Sequence, residues 1–417
     1  MKKIKTKIPQ IRFPKFEDDW VKKNLSDICN YKNGKAHEQE IDSEGDFIVV
    51  NSKFISSKGT VRKYTDEQIC PLYEGDVVMV LSDVPNGKAL AKCYYIEANN
   101  KFTLNQRICA LKSDKLNNKF LYYRIDRNRY FLMFDSGVGQ TNLRKTDVLD
   151  CPLYIPPSIE EQEKIADFLS SADQKIQQLR RKKELLEEYK KGVMQKLFTR
   201  EIRFKDENGE DYPDWEEYNV GKILKLFVTN SFSRNDLTYE SGEVKNIHYG
   251  DIHSEFKMGF KVNEETVPYI VEEKKLSKYD EDQYVKPGDL IVADASEDYV
   301  DIGKAIEVLE TGDERILAGL HTIHARDKKP LTVVGFKGYL FRSEAVRKQL
   351  KRVSQGASVL GISKGNFKEI NVKLPCQAEQ QKIVEFLQNI DKNITLVESK
   401  IEKFQIFKKG LLQKMFV

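Results

Sequence analysis

Two glycine-rich stretches gather side chains suited to reading base edges or gripping phosphates. The first, Gly137-Val-Gly-Gln-Thr-Asn-Leu-Arg-Lys, packs Gln140, Asn142, Arg144 and Lys145 into one turn. The second, Gly356-Ala-Ser-Val-Leu-Gly-Ile-Ser-Lys-Gly-Asn, carries Ser358, Ser363, Lys364 and Asn366. Amide side chains present a donor beside an acceptor, and Arg and Lys suit guanine edges or phosphate oxygens. Lys88 and Lys304, each inside a Gly-Lys-Ala turn, are weaker candidates by the same logic. Taken alone, such loops are explained equally well as ordinary solvated turns.

Motifs for bond-making chemistry are missing. No string of glycines precedes Lys-Ser/Thr as a phosphate-cradling loop requires, and no G-x-G-x-x-G follows an expected strand. The Pro-Pro-aromatic signature of amino-methyltransferases is absent too; Pro156-Pro157 precedes Ser158 and reads as a helix opening. HYGDIHSE (248–255) places His248, Asp251, His253 and Glu255 close together, but on a strand His248 and Asp251 point to opposite faces. VNSKFISS, the matching stretch of the first half, has nothing equivalent. His321 and His324 lie three apart on another expected strand. These patterns predict no enzyme, no metal and no cofactor on this chain.

The elements that must position the loops are organised by a helix written twice. Residues 157–198 and 375–416 align without a gap at an offset of 218, from Lys164 matching Lys382 to Phe198 matching Phe416. Each copy opens on Pro, continues with Glu161-Gln162 or Glu379-Gln380, and carries Asp173 or Asp391. Apolar positions recur in steps of four and three, the spacing that keeps a narrow stripe against a partner helix. In copy one the stripe includes Ile165, Leu169, Ile176 and Leu179, and in copy two Ile383, Leu387, Ile390 and Val397. Lys183, Lys190 and Lys408 fall on the same stripe, so it is expected to be wet in places or turned toward another molecule. At ~1.5 Å per residue each helix would be about 55 Å long, and the simplest partner for one copy is the other. Connectivity makes the pair antiparallel, with two globular segments held apart by a two-helix rod.

The 417 residues suffice for two domains and connectors. A hydrophobic fraction of 40% with 32% charged residues suits a water-soluble chain with exposed helices. The net charge of +4 is too small to argue for nucleic acid by itself. Six scattered cysteines without a C-x-x-C pair read as reduced thiols of a cytosolic protein. The amino terminus MKKIKTKIPQIRFPKF is basic but lacks a signal-peptide apolar core, and no run approaches a membrane span.

The globular segments repeat as well. Ile-Arg-Phe precedes Trp20 in one half and Trp215 in the other. LYEGDVVMVLSD (72–83) matches QYVKPGDLIVADAS (283–296), a Gly-Asp turn before an apolar strand. FIVVNSKFISS (47–57) and VKNIHYGDIHS (244–254) read as strands, and RICALKSD (107–114) matches TIHARDKK (322–329). Residues 120–134 and 336–350 read as helices. The expected fold class is α+β: two similar mixed α/β domains joined by two long antiparallel coiled-coil helices, with a pseudo-two-fold internal repeat. The boundaries are 1–156 for the first domain, 157–200 for the first helix, 201–374 for the second domain and 375–417 for the second helix.

Across its whole length the chain resembles the specificity subunits of type I restriction–modification systems. The most telling residues are P-x-x-x-E-Q-x-K-I-x-x-F-L-x-x-x-D at 157–173 and 375–391, with K-G-x-x-Q-K-x-F at 191–198 and 409–416. The resemblance implies a non-catalytic subunit whose domains each read half of a split, asymmetric site in double-stranded DNA, the helices setting the gap. It implies two methylation subunits docked on the helices and two restriction subunits beyond them. S-adenosylmethionine, ATP and Mg would then belong to those partners, and the assembly to the cytoplasm. A coiled-coil scaffold without DNA specificity is the alternative from a different class; binding to a split DNA sequence separates the two.

Overall fold

The computed structural model describes residues 8–37, 44–84, 87–271 and 273–416; the basic residues 1–7 read above lie outside them. The chain divides into two compact units, one formed up to Arg181 together with the stretch from Glu398 onward, the other by Lys182–Val397. The two long helices, Ile159–Phe198 and Gln377–Met415, contribute to both.

In the first unit a four-stranded sheet runs in the order Asn30–Asn33, Ile108–Lys112, Val77–Val80, Cys93–Tyr95. All four residues of Val77–Val80 are buried, and the two-residue period of a strand divides them between two cores. Val77 and Met79 join Trp20, Phe120 and the helix residues Ile165 and Leu169. Val78 and Val80 join Val50, Phe54 and Leu72 on the other face. That second core is closed by a three-stranded sheet in which Phe47–Val50 pairs antiparallel with Tyr64–Thr65 and parallel with Phe102–Leu104. Two short ribbons complete the unit, Val21–Asn24 with Pro152–Ile155 and Ser82–Asp83 with Thr141–Asn142.

The second unit repeats this plan with additions. Its sheet runs Leu224–Phe227, Thr322–Asp327, Leu290–Ala293, Ala305–Glu310, with Gly259–Lys261 added at the edge. Leu290 and Val292 face one core and Ile291 and Ala293 the other. Val244–Ile247 pairs parallel with Arg315–Ala318, Glu216–Asn219 with Asn371–Leu374, and Ala295–Ser296 with Leu360–Gly361.

Four expected elements come out differently, each for a local reason. FIVVNSKFISS is a strand only to Val50; Asn51 then caps the short helix Ser52–Ser56 by accepting the Phe54 amide at 2.9 Å. VKNIHYGDIHS breaks in the same way at His248, whose Nδ1 accepts the Gly250 amide ahead of the helix Tyr249–Ser254. Residues 120–134 form two helices, Asn118–Ile125 and Arg129–Leu132, interrupted where Arg127 is left-handed. The stretch 336–350 is likewise split at Ser343, which is extended between Phe336–Arg342 and Glu344–Val353. Pro157 and Pro375 stand before the helices rather than in their first turns.

The Glu-Gln pairs explain how each recognition domain seats on its helix. The Glu161 carboxylate, 1% exposed, takes Arg12 Nε at 2.7 Å and Nη2 at 2.8 Å, and Trp20 Nε1 at 3.2 Å. Glu379 does the same with Arg203 at 3.1 and 2.8 Å and Trp215 at 3.1 Å. Gln162 accepts the Asn117 amide and donates to the Pro156 carbonyl; Gln380 accepts the Val333 amide and donates to Pro375 and Leu331. Ile-Arg-Phe, Trp and Glu-Gln are thus one device, present twice.

Two of the three stripe lysines, Lys190 and Lys408, clasp carboxylates, while Lys183 stays part-exposed 3.6 Å from Glu187. In the first unit Lys408 Nζ meets both Asp173 oxygens at 2.6 Å, and Tyr123 donates to Asp173 at 2.9 Å. In the second unit Lys190 bonds Asp391 at 2.5 Å, and Tyr339 donates to Asp391 at 2.7 Å. Each pair joins an early helix position to a late one, so the helices run antiparallel within each unit. Isoleucine and leucine fill the rest of the stripe, with Ile165, Leu169, Ile383 and Leu387 fully buried.

Glu161→Ala leaves a buried guanidinium and an indole N–H unsatisfied. We expect it to destabilise the first unit by about 3 kcal/mol, and Glu379→Ala to do so for the second, each read from denaturant unfolding of the full chain. Glu307 provides a pH test. It is buried beneath the helix Phe336–Arg342, accepts the Gly335 and Gly338 amides, and faces Lys337 at 4.0 Å. Burial pushes its carboxyl up to about 7 against the opposing pull of Lys337 and the amides. Because the folded state then holds the proton more tightly than the unfolded chain, this contribution is full at low pH and is lost as pH rises through 7. Thermal melts from pH 5 to 8 should show a loss of second-unit stability that is reduced in Glu307→Gln.

Candidate nucleic-acid interface

In the first unit the ribbon Ser82–Asp83/Thr141–Asn142 joins the glycine-rich loop to the Lys88 turn. The Asp83 carboxylate accepts the amides of Val84, Ala89 and Leu90 at 2.9, 2.6 and 3.0 Å. Gly87 is required there, since a Cβ would lie 2.2 Å from that carboxylate. Lys88 stands exposed on this turn. Across the ribbon Gly137 and Gly139 are left-handed, and Asp135 holds the Gly137 amide and the Thr141 hydroxyl. Gln140 donates to Ser82 Oγ at 2.5 Å, and Asn142 is exposed. Lys88, Gln140 and Asn142 therefore share one ribbon.

Arg144 follows as the cap of the helix Lys145–Leu149 and is 79% exposed. Asp147 grips its guanidinium through Nε at 3.1 Å and Nη2 at 2.9 Å. This orients the planar fork while leaving its remaining donors to solvent. Lys145 turns onto the Tyr31 ring, 5.5 Å from its centre. Val138 and Val84 are the exposed apolar tips, at 84% and 64%.

The second unit builds the same ribbon, Ala295–Ser296/Leu360–Gly361, but spends most of the expected site residues internally. Ser363 caps the helix Lys364–Lys368 by accepting the Asn366 amide. Asn366 donates to the Val353 carbonyl, Lys364 to Phe227 at 3.1 Å, and Lys304 to His253 at 2.6 Å. Ser358 is exposed on the loop that Gly356 turns, where a Cβ would meet the Val359 carbonyl oxygen at 2.0 Å.

Besides Ser358, Ser363 and Lys364, the solvent-facing residues around this ribbon form a set the sequence reading passed over. Tyr299 and Val300 follow Ser296 and are 54% and 65% exposed, with Lys351 over the Tyr299 ring. His321, exposed and left-handed, stands 3.4 Å from Asp294 and edge-on to Tyr249 at 5.3 Å. Arg234 is held by Asp251 and reaches the Tyr239 hydroxyl at 3.3 Å. The signal was present as Tyr-Val in an acidic loop and as Tyr249 among histidines. Reading HYGDIHSE as strand hid it. Of the clustered residues in HYGDIHSE, His248 is the helix cap and Asp251 belongs to Arg234. His324 is buried against Asp289 at 2.7 Å. Among the described residues no group of three or more His, Cys, Asp or Glu is placed to hold a metal.

The comparisons with known proteins meet this geometry. The type I restriction modification DNA specificity domain matches residues 17–188 and again 212–405. The chain belongs to that family. It is a specificity subunit with two target-recognition domains, and a specificity subunit is not itself an enzyme. The type I restriction enzyme MjaVIII specificity subunit of Methanocaldococcus jannaschii is 25% identical over 95% of this chain and 91% of its own length. The putative MjaX specificity subunit of the same organism is 24% identical over 95% and 92%. The crystal structure of a type I system S subunit from M. genitalium has the same fold, with a TM-score of 0.59 over 99% of both chains at 15% identity. A structure from work on complex assembly and conformational transition of the type I system gives 0.57 over 96% and 98% at 14% identity. Among the described residues no helix of the subunit is long and apolar enough to cross a membrane.

Arg144→Ala is expected to weaken binding of the subunit, assembled with its partners, to its own DNA site by about ten- to a hundredfold and to relax one half-site. Lys304→Met, whose ammonium is spent on the His253 carbonyl, should leave the salt slope of binding unchanged while lowering stability. Fluorescence anisotropy across a salt series measures both; an unchanged affinity for Arg144→Ala would place that loop away from DNA.

Proposed function

We propose that each target-recognition domain reads one half of a split, asymmetric site in double-stranded DNA, and that the helix pair sets the gap. The duplication carries this reading. One seating device, Glu with Arg and Trp, and one clasp, Asp with Lys and Tyr, recur in both units, whereas the ribbon surfaces differ. The first ribbon offers Lys88, Gln140, Asn142 and Arg144. The second offers Ser358, Tyr299 and His321 beside the exposed Glu297 and Asp298, while Ser363, Lys364, Asn366 and Lys304 hydrogen-bond to the backbone. Different surfaces on one frame suit different half-sites.

The repeated frame also suits two copies of one partner. Tyr189 and Phe407 occupy register-matched positions on the two long helices and are each 52% exposed. Exposed aromatics of this sort are the usual anchors of an interface. They are the contacts we assign to two methylation subunits, with two restriction subunits completing a cytoplasmic assembly. In that assembly adenine methylation and ATP-dependent cleavage, with S-adenosylmethionine, ATP and Mg, belong to the partners. The subunit contributes position and sequence choice.

Methylation mapping of the assembled complex tests the reading. A bipartite asymmetric motif is expected. Matched four-residue insertions in both long helices, where the chain passes from one unit to the other, add about one helical turn and ~6 Å. They should keep both half-sites and lengthen the gap by one or two base pairs at ~3.4 Å each. An unchanged gap, or altered half-sites, refutes the helices as the ruler.

A further inference from the structure

On the first unit, away from the ribbon, the turn after the helix Ser52–Ser56 meets the two long helices at an open pocket of about 190 Å³. Its charged and polar lining is Lys58, Asp173, Arg180, Gln405, Lys408 and Lys409, over a floor of Ile176 and Leu412. Lys58 is held toward it by a left-handed backbone, with φ of 52° followed by Gly59 at 80°. A lysine pays for that conformation where a glycine would not. The one carboxylate in the lining, Asp173, is spent on Lys408 and the Tyr123 hydroxyl. Asp126, the other acid near Lys58, accepts the Cys93 amide. Lys58, Arg180 and Lys409 remain as an excess of positive charge around an opening of small-anion size.

The internal repeat shows that the common frame does not demand two of these cations, Lys58 and Arg180; Lys409 is kept as Lys191. At the offset that matches Asp173 to Asp391 and Lys408 to Lys190, Arg180 corresponds to Glu398 and Gln405 to Glu187. At the same distance past the helix cap as Lys58 from Asn51, the second half has Glu255 after His248. Three positions are basic or neutral in one half and acidic in the other. Seating and clasp are kept in both, so the cation set serves something besides folding.

The geometry points to a phosphoryl-anion site formed by Lys58, Arg180 and Lys409 in the first unit; in its repeat the counterparts of Lys58 and Arg180 are glutamates, while that of Lys409 is Lys191. The anion would be a free phosphate or pyrophosphate group, or a backbone phosphate of nucleic acid. Crowding by neighbouring atoms, together with Lys408 and Arg180, lowers the pKa of the Lys58 ammonium; a bound anion would restore the charged form.

The test is calorimetric titration of the full chain with inorganic phosphate and with pyrophosphate, at ionic strength held constant with sodium chloride. Saturable binding of one anion per chain is expected. Arg180→Glu and Lys58→Glu, which copy the acidic half, should each weaken it at least tenfold. Arg180 is exposed on a helix surface, so an unchanged melting temperature for that variant guards against misfolding. A DNA duplex of unrelated sequence is then added as competitor. Displacement of pyrophosphate identifies backbone phosphate as the source, and continued binding beside the duplex identifies a free phosphoryl group. Absence of saturable binding to the wild-type chain, or equal affinity in the wild type and both variants, overturns the proposal.

Discussion

The seating of each recognition domain on its long helix depends on a carboxylate taken out of water. Glu161 and Glu379 are buried at the starts of the long helices, where the helix dipole favours negative charge. Each is satisfied by a guanidinium and an indole N–H supplied from the beginning of a recognition domain. A buried charge that lost those donors would cost several kcal/mol, so the domain has one acceptable way to sit on its helix. The adjacent glutamine, bonded to backbone on two sides, fixes the rotation. A recognition surface is useful only if its bearing on the helix is unambiguous.

The clasp further along does the complementary task for the helices. A purely apolar stripe tolerates sliding by a turn, because one leucine packs much like the next. Lys408 on Asp173 and Lys190 on Asp391, each braced by a tyrosine, break that degeneracy. A polar pair at an otherwise apolar seam selects register at some cost in stability. Under the proposed function, register is what a helix pair that sets the gap between half-sites must hold.

With the frame settled twice over, the two recognition surfaces are free to differ. The first exposes amide and guanidinium groups on a ribbon organised by Asp83; the second exposes tyrosine, histidine and acidic side chains while its lysines brace the backbone. The same economy appears in the cation-lined pocket, where one half has Lys58 and Arg180 and the other has glutamates at the matched positions.

The sequence by itself determined the duplication, the two long helices and their stripe, and the apolar central strands. These are signalled by period and by recurrence, which are properties of the chain as a string. It also marked Glu161, Gln162 and Asp173, because a repeat preserves what it uses, but it could not say for what. Their partners lie far away along the chain: Arg12 is 149 residues from Glu161, and Lys408 is 235 from Asp173. Sheet order was hidden for the same reason, since Val77–Val80 pairs with Cys93–Tyr95 on one side and with Ile108–Lys112 on the other, while Phe102–Leu104 between them joins a different sheet. The tertiary structure alone decided which polar loop residues face solvent. Lys304, Lys364 and Asn366 each donate to a backbone carbonyl that the fold brings within reach, and of the three only Lys364 is exposed. An unsatisfied buried carbonyl is costly, and a nearby side-chain donor is captured by it before any ligand can be.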